Sequence, residues 1–525
     1  MPQVDPRDRE KLIDPLFRTG WRFWALVILL LAVIAWGVFM YIQQFQLGLG
    51  QTGMQRPVYW GVYMVNFIFF IGISHAGTLI SAILRVTGAE WRRPITRVAE
   101  AITVFALIVG TLQIIIDMGR PDRLHFVILH GRLQSPILWD VVSVTTYLLG
   151  SVTYLYLPLI PDAAILRDNL PENTPAWRRV LYRTLALGWR GNREQWRRLE
   201  RAIAVMAVFI IPVAISVHTI ISWILATTVQ PGWHSTIFGP YFVVGAIFSG
   251  IGALFVAMTA VRRVMGLEDY IKQRQYRSLG LLFITMNVTW AYFTYAENLA
   301  PAAGQQADEF PVLASKLWGS FSSGFWVMVL LMIVAFVILV LPRLIPASVQ
   351  RVVALRPRYA IGSVVAVSAL AFVLTDQQFA PLSASTTEPD VRVLGWAVVV
   401  SGAVAVLLGI GLWLKQRPVT ASVVAGVVVL VGMWLERWNL VVPTVTHPRL
   451  MPYATYTPTL TEVALTAASV ALFMLLFVVF FKLFPAVSIW EVAEGRAIQA
   501  TRAAASAPVP VPSGSERRRR RLGLR

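Results

Sequence analysis

Apolar residues in this chain neither alternate with polar ones nor recur in narrow stripes. They run on for about 20 residues at a time, the length a helix needs to cross a hydrocarbon core. Twelve such runs are predicted helices: 21–47, 59–85, 95–119, 136–160, 199–228, 239–262, 276–298, 322–342, 359–376, 393–414, 418–436 and 460–483. The expected fold is all-α, a polytopic transmembrane helical bundle of about 12 helices. Without the pair 359–376 and 393–414 there would be ten, and the chain would still end on the side where it began.

The polar stretches divide the chain. An arm over 1–20 is expected to lie on the surface, and helices 1–4 fill 21–160. A basic loop follows over 161–198, then four helices over 199–342, the extra pair within 343–417 and the last two helices over 418–492. An Ala/Pro-rich tail over 493–525 ends in Arg517–Arg521 and is expected to be disordered and to touch lipid. In the basic loop, Arg178, Arg179 and Arg183 beside Trp177, Trp189 and Trp196 suit an amphipathic helix on an anionic leaflet. Residues 438–459, with Pro443, Pro448, Pro452 and Pro458, are expected to form a loop long enough to dock a partner. The first apolar run is too long for a signal-peptide core and no small-residue cleavage pattern precedes it, so no cleavable signal is expected.

Composition narrows the class. Of 525 residues, 57% are hydrophobic and 14% charged, against roughly 25% charged in soluble domains, which excludes a soluble enzyme. With no cysteine, the chain can hold neither a thiolate-ligated iron–sulfur cluster nor a c-type haem, and such groups must sit in partners. The net charge of +19 does not indicate nucleic acid, because the basic residues punctuate the apolar runs instead of clustering on one folded module. With the N-terminus placed in the cytoplasm, 38 of the 46 basic residues fall on cytoplasmic segments and 8 outside. The positive-inside rule therefore predicts a multi-pass protein of the cytoplasmic membrane with both termini inside.

Polar groups at bilayer depth cost most and mark candidate chemistry. On the second helix Ser74, Thr78, Ser81 and Arg85 share a face bordered by His75. That imidazole is either a bonded strut or a proton or ligand site. Asp117 and Arg120, three apart at the end of the third helix, either pair with each other or border a site. Asp140 lies one turn into the fourth helix, which opens with Ser135 and Pro136. Asp117 and Asp140 are expected at similar depth on the outer side, with His75 deeper. A deep hydrogen-bonding group with carboxylates leading outward is what two-electron quinol oxidation needs. His218, Asn287, Glu297, Asp376 and Glu436 beside Arg437 are further buried polar groups. The last three acids are expected to be interfacial anchors or ion-paired groups more than members of a proton wire. His75 and His218 lack the repeated pattern of a bis-histidine haem site.

At SHAGTLISAILR, AEAITVFA, MGRPDR and SPILWDVVSVTTYLL the sequence resembles the integral-membrane subunits of the polysulfide reductase (NrfD-like) family. AYFTYAENL at 291–299, GMWLERWNLVVPT at 432–444 and residues 456–492 make it most similar to the quinol-oxidising membrane subunit of alternative complex III, a quinol:electron acceptor oxidoreductase. The resemblance implies two four-helix bundles with a site for menaquinol or ubiquinol in the first, where His75 contacts quinol and Asp117, Arg120 and Asp140 border the site or its proton exit. Ser74 and Thr78 would line it. It further implies an iron–sulfur subunit, multihaem and monohaem c-type cytochrome subunits, a homologous membrane subunit and a terminal electron acceptor as partners in a bacterial respiratory or photosynthetic chain. Ten helices are usual in that family, and the surplus here lies near 350–415. A quinone-free anchor or proton-conducting homologue, or a secondary transporter, would also place polar groups in the membrane. The matched Gly/Pro-broken helices of a transporter are not evident.

Overall fold

The computed structural model describes residues 5–345 and 409–506. Every regular element among them is helical, and ten helices are long and apolar enough to cross a membrane. They are α1 (Trp21–Leu47), α2 (Val62–Val86), α3 (Thr96–Asp117), α4 (Pro136–Asp168), α5 (Arg193–Ala226), α6 (Phe238–Val264), α7 (Gln273–Gly304), α8 (Ser322–Leu344), α9 (Pro418–Thr446) and α10 (Leu460–Leu483). These are ten of the twelve predicted runs. Run 359–376 and most of run 393–414 lie outside the described residues.

Helix packing sorts the ten into two four-helix bundles and a pair. In the first bundle α2 packs on α3 and α5, and α4 on α3 and α5; in the second, α9 packs on α6 and α8, with α7 against all three. Helices α2 and α6 join the bundles, while α1 and α10 pair beside the first. The share of each apolar window buried within the protein follows this plan, 80% for α2 and 72% for α3 and α6 against 17% for α1 and 22% for α10. Without a hydrophobic force between helices in lipid, close approach depends on small residues. A Cβ on Gly77 would lie 2.0 Å from the Ala99 carbonyl oxygen, and one on Gly426 2.7 Å from that of Gly252.

Cross-chain bonds define two ends. At one, Gln44 Nε2 donates to the Ile116 carbonyl, Gly53 N to Glu462, Val62 N to Tyr456 and Trp233 to the Leu440 carbonyl. At the other, Arg85 meets Glu491, Arg97 meets Asp162, and Lys482 donates to the Pro15 and Arg18 carbonyls. The first end carries few basic residues, Arg56, Arg120, Arg123, Arg132, Lys316 and Arg449 among the described connections. The second carries the arginine-rich ones.

Four expectations change at these ends. The N-terminal arm is not a surface segment, because Asp8, Leu12, Ile13 and Leu16 are buried and Asp8 is bonded by Arg496 at 2.8 Å. Residues 438–446 continue α9 through Pro443 instead of forming a loop, and Leu440, Val441, Val442 and Val445 bury their apolar side chains there. The short helix Ala176–Leu185 leaves Trp177, Val180, Arg179 and Arg183 exposed. Arg178 instead turns inward and donates to the Leu16 and Lys482 carbonyls. Helix α4 runs through Pro158 and Pro161 to Asp168, past its expected end at 160.

Candidate functional site

The middle of the first bundle holds a polar knot around Ser74 and His75. Ser74 Oγ donates to the Ile71 carbonyl at 2.6 Å, and its own carbonyl accepts from Thr103 of α3 at 2.8 Å and Tyr147 of α4 at 3.2 Å. His75 is fully buried. Its Nδ1 lies 2.9 Å from the Ile71 carbonyl and its Nε2 against the Ala214 carbonyl of α5. A neutral ring can satisfy only one of those carbonyls, whereas the protonated ring donates to both. The His75 ring packs 4.8 Å from Tyr147 and 3.7 Å from His218, centroid to centroid. His218 is 1% exposed and neither of its ring nitrogens has a partner. Rings this close cannot face each other across a haem iron, which would put about 4 Å between the ligating nitrogens alone.

Toward the poorly basic end stand the two carboxylates. Asp117 closes α3 and Asp140 lies in the second turn of α4; each has a buried Oδ1 without a hydrogen-bond partner. Burying such an atom without a partner costs on the order of 1–3 kcal/mol. Nearby, Glu462 accepts from Tyr456 at 2.6 Å and from the Gly53 and Thr459 amides, and Tyr63 donates to Gln44 at 2.7 Å. Arg120 does not join Asp117. It is exposed and grips Asp122 with two bonds of 3.0 and 2.9 Å, holding the Asp122 carboxyl below the usual range. Thr78 belongs to α2, but its side chain lies outside what the structure describes.

The candidates thus form two groups. Among the described residues, no hydrogen bond or ion pair links His75 to Asp117 or Asp140; His75 is joined instead to Ser74 and His218. No three His, Cys, Asp or Glu among the described residues converge on a metal-sized point.

Buried polar groups also stand outside these two clusters. At the basic end Ser81 donates to buried Glu100 at 2.8 Å, and Glu491 accepts Arg85 at 2.6 Å. A carboxylate in the apolar run AEAITVFA is a signal that could have marked Glu100. Between the bundles, Glu436 and Arg437 form a buried pair at 3.0 Å, as the ion-paired reading anticipates. The Arg437 guanidinium lies over Phe242 at 5.1 Å and leaves Nη2 unpartnered beside Gly245. Glu297 accepts from Ser235, and Asn287 donates to the Met332 carbonyl at 3.2 Å. Asp376 lies outside the described residues.

Comparison with known proteins agrees with this architecture. The chain is 30% identical over 289 residues to the membrane subunit of a putative dimethyl sulfoxide reductase of Halobacterium salinarum, covering 54% of this chain and 62% of that protein, less than two thirds of its length. It is 24% identical over 327 residues to the Hdr-like menaquinol oxidoreductase integral membrane subunit of Archaeoglobus fulgidus, 61% of this chain and 71% of that one. It is also 24% identical over 213 residues to a selenate reductase subunit of Mesobacillus selenatarsenatis, 39% of this chain and 48% of that one. A family model described as polysulphide reductase, NrfD, matches residues 50–377, which contain the whole first bundle and both groups of candidate residues. The chain is a multi-pass integral membrane protein and belongs to the NrfD polysulphide reductase family of membrane subunits of redox complexes.

Proposed function

We propose that this chain binds and oxidises quinol from within the first bundle, near the poorly basic end, as the membrane subunit of a complex of the alternative complex III type. The observation that carries the reading is the pair of buried, unpartnered oxygens on Asp117 and Asp140 at adjacent helix ends. Two-electron oxidation of a quinol to a quinone releases two protons and two electrons. Asp117 and Asp140 are placed to accept the protons one at a time and pass them to the adjacent surface. Ser74, Tyr147 and Thr103 fix the backbone that carries His75, and the closely packed, mutually tilted His75–His218 pair gives the bundle a polar centre in an otherwise apolar interior. A cysteine-free chain offers the electrons no iron–sulfur cluster of its own. They pass to an iron–sulfur partner and then to c-type cytochromes docked at that end, which by the charge bias is the periplasmic face of a bacterial cytoplasmic membrane. Proton release there contributes to the gradient without a pump.

The test is quinol-to-cytochrome electron transfer by the mildly solubilised complex carrying Asp117→Asn and Asp140→Asn together, with polypeptide and haem content checked. Loss of turnover with intact composition is the expected result; unchanged turnover rejects the reading. One observation favours a second reading, a quinone-free anchor: both His75 nitrogens face backbone carbonyls, as in a purely structural imidazole. That reading requires assembly without quinone-dependent protection of any residue in this chain.

A further inference from the structure

The basic end carries a shelf built from three parts of the chain. Arg178 of the short helix Ala176–Leu185 donates to the Leu16 carbonyl at 3.2 and 3.1 Å and to the Lys482 carbonyl at 2.6 Å. Its guanidinium lies 4.9 Å from the Phe17 ring and 5.6 Å from the Trp177 ring. Lys482, in the last turn of α10, donates in turn to the Pro15 and Arg18 carbonyls at 3.0 and 2.6 Å and lies over Phe23 at 5.6 Å. The N-terminal arm, the start of α1 and the short helix are thereby fixed where two spanning helices leave the hydrocarbon. At that level the shelf presents Trp21, Trp24, Trp177 and Val180, each more than half exposed, together with the exposed Arg18, Arg22, Arg179 and Arg183. Neither stretch, 15–24 or 176–187, contains an Asp or a Glu. Among the described residues, none of those four arginines is in an ion pair.

We propose that this shelf binds an anionic phospholipid, its headgroup held by the exposed arginines and its acyl chains laid along α1. The sequence alone sets only the basic loop on an anionic leaflet; the bonds from Arg178 and Lys482 bring the N-terminal arm and α1 to the same place. The apolar window of α1 is 17% buried within the protein, so acyl chains meet an apolar surface directly beside the arginines. Trp21 and Trp24 stand at the start of α1, and tryptophan is the side chain enriched where headgroups meet hydrocarbon. On the short helix, Trp177 and Val180 are three residues apart on one side of the outward face, and Arg179 and Arg183 four apart on the other. A bilayer surface sorts a helix in that way. Arg178 is spent on backbone carbonyls, which leaves the other four arginines to meet the ligand's charge. A zwitterionic lipid would bring an ammonium group into a cluster of cations whose own segments hold no carboxylate to receive it.

The experiment uses the intact complex in phosphatidylcholine nanodiscs doped with phosphatidylglycerol that carries a diazirine beside its headgroup, with labelled peptides read by mass spectrometry. Phosphatidylcholine bearing the same diazirine is the control. The phosphatidylglycerol probe is expected to label 15–30 and 176–187 at least about tenfold more than the control, since each arginine close to an anionic surface is worth about fivefold. Exchanging Arg18, Arg22, Arg179 and Arg183 together for Gln should bring the two probes level. If that variant does not assemble, Arg18→Gln with Arg22→Gln, and separately Arg179→Gln with Arg183→Gln, should each lower the ratio. Equal labelling of the unaltered complex by both probes overturns the proposal, as does a preference that survives the exchanges. A shelf that neither probe reaches, and that cross-links to another subunit of the complex, overturns it in favour of a polypeptide partner.

Discussion

Asp117, Asp140 and Arg120 show how far a side chain's role follows from its spacing. The two acids sit where helical geometry puts them, on adjacent helix ends, and each keeps a buried oxygen free. Replacing Asp140 by the isosteric Asn removes proton acceptance with little change of shape. Turnover of quinol by the complex should fall about 10²-fold, the lower range for losing a general base. Arg120→Ala should leave turnover within about twofold, because an exposed ion pair with Asp122 is all it removes. The same assay reads both. Spacing alone offered Asp117 as a partner for Arg120, but α3 ends at Asp117 and the backbone turns at Gly119, whose φ is +65°. Three residues apart means one face only while the helix lasts. His218 was legible as a buried histidine, yet its contact with His75 was not, since residues far apart in sequence meet only through the packing of α2 on α5.

The helices themselves were plain in the sequence because a 20-residue apolar run has few alternatives in lipid, but their ends were not. Proline ordinarily argues for a break, and the expected ends of α4 and α9 came before Pro161 and Pro443. Neighbouring groups make continuation possible in a bundle. The Pro158 carbonyl accepts from Arg97 at 3.3 Å and from Trp490 at 3.0 Å. The same corner holds the Arg97–Asp162 pair at 2.6 Å, with both side chains almost wholly buried. Asp162→Ala would strand Arg97 and leave the Ile489 and Trp490 amides without their acceptor. A loss of about 3–5 kcal/mol is expected, seen as a large drop in the unfolding temperature of the solubilised protein. Gly77→Ala tests the close approach of α2 to α3 and should cost about 1–3 kcal/mol by overpacking, since the added carbon would sit 2.0 Å from the Ala99 oxygen.

Across the molecule the two ends differ in construction as well as in charge. The basic end is clasped by both termini: the N-terminal arm buries Leu12, Ile13 and Leu16, the helix Ile489–Ser506 places Glu491 on Arg85, and Arg496 ties that helix to Asp8. At the poorly basic end lie the unpartnered carboxylates Asp117 and Asp140. The arginines predict a sidedness, whereas the clasp was hidden because its polar arm looked like a solvated tail. The chain supplies its own test of orientation, since it contains no cysteine to mask or remove. Gln306→Cys places a thiol at an exposed position of the poorly basic end, and Thr184→Cys places one at an exposed position of the basic end. In intact cells whose outer layers admit small reagents, a membrane-impermeant maleimide should label Gln306→Cys and spare Thr184→Cys until the membrane is permeabilised. The opposite pattern would put the carboxylates on the cytoplasmic side. Proton release during quinol oxidation on that side would then add nothing to the gradient, and the proposed direction of coupling would be wrong.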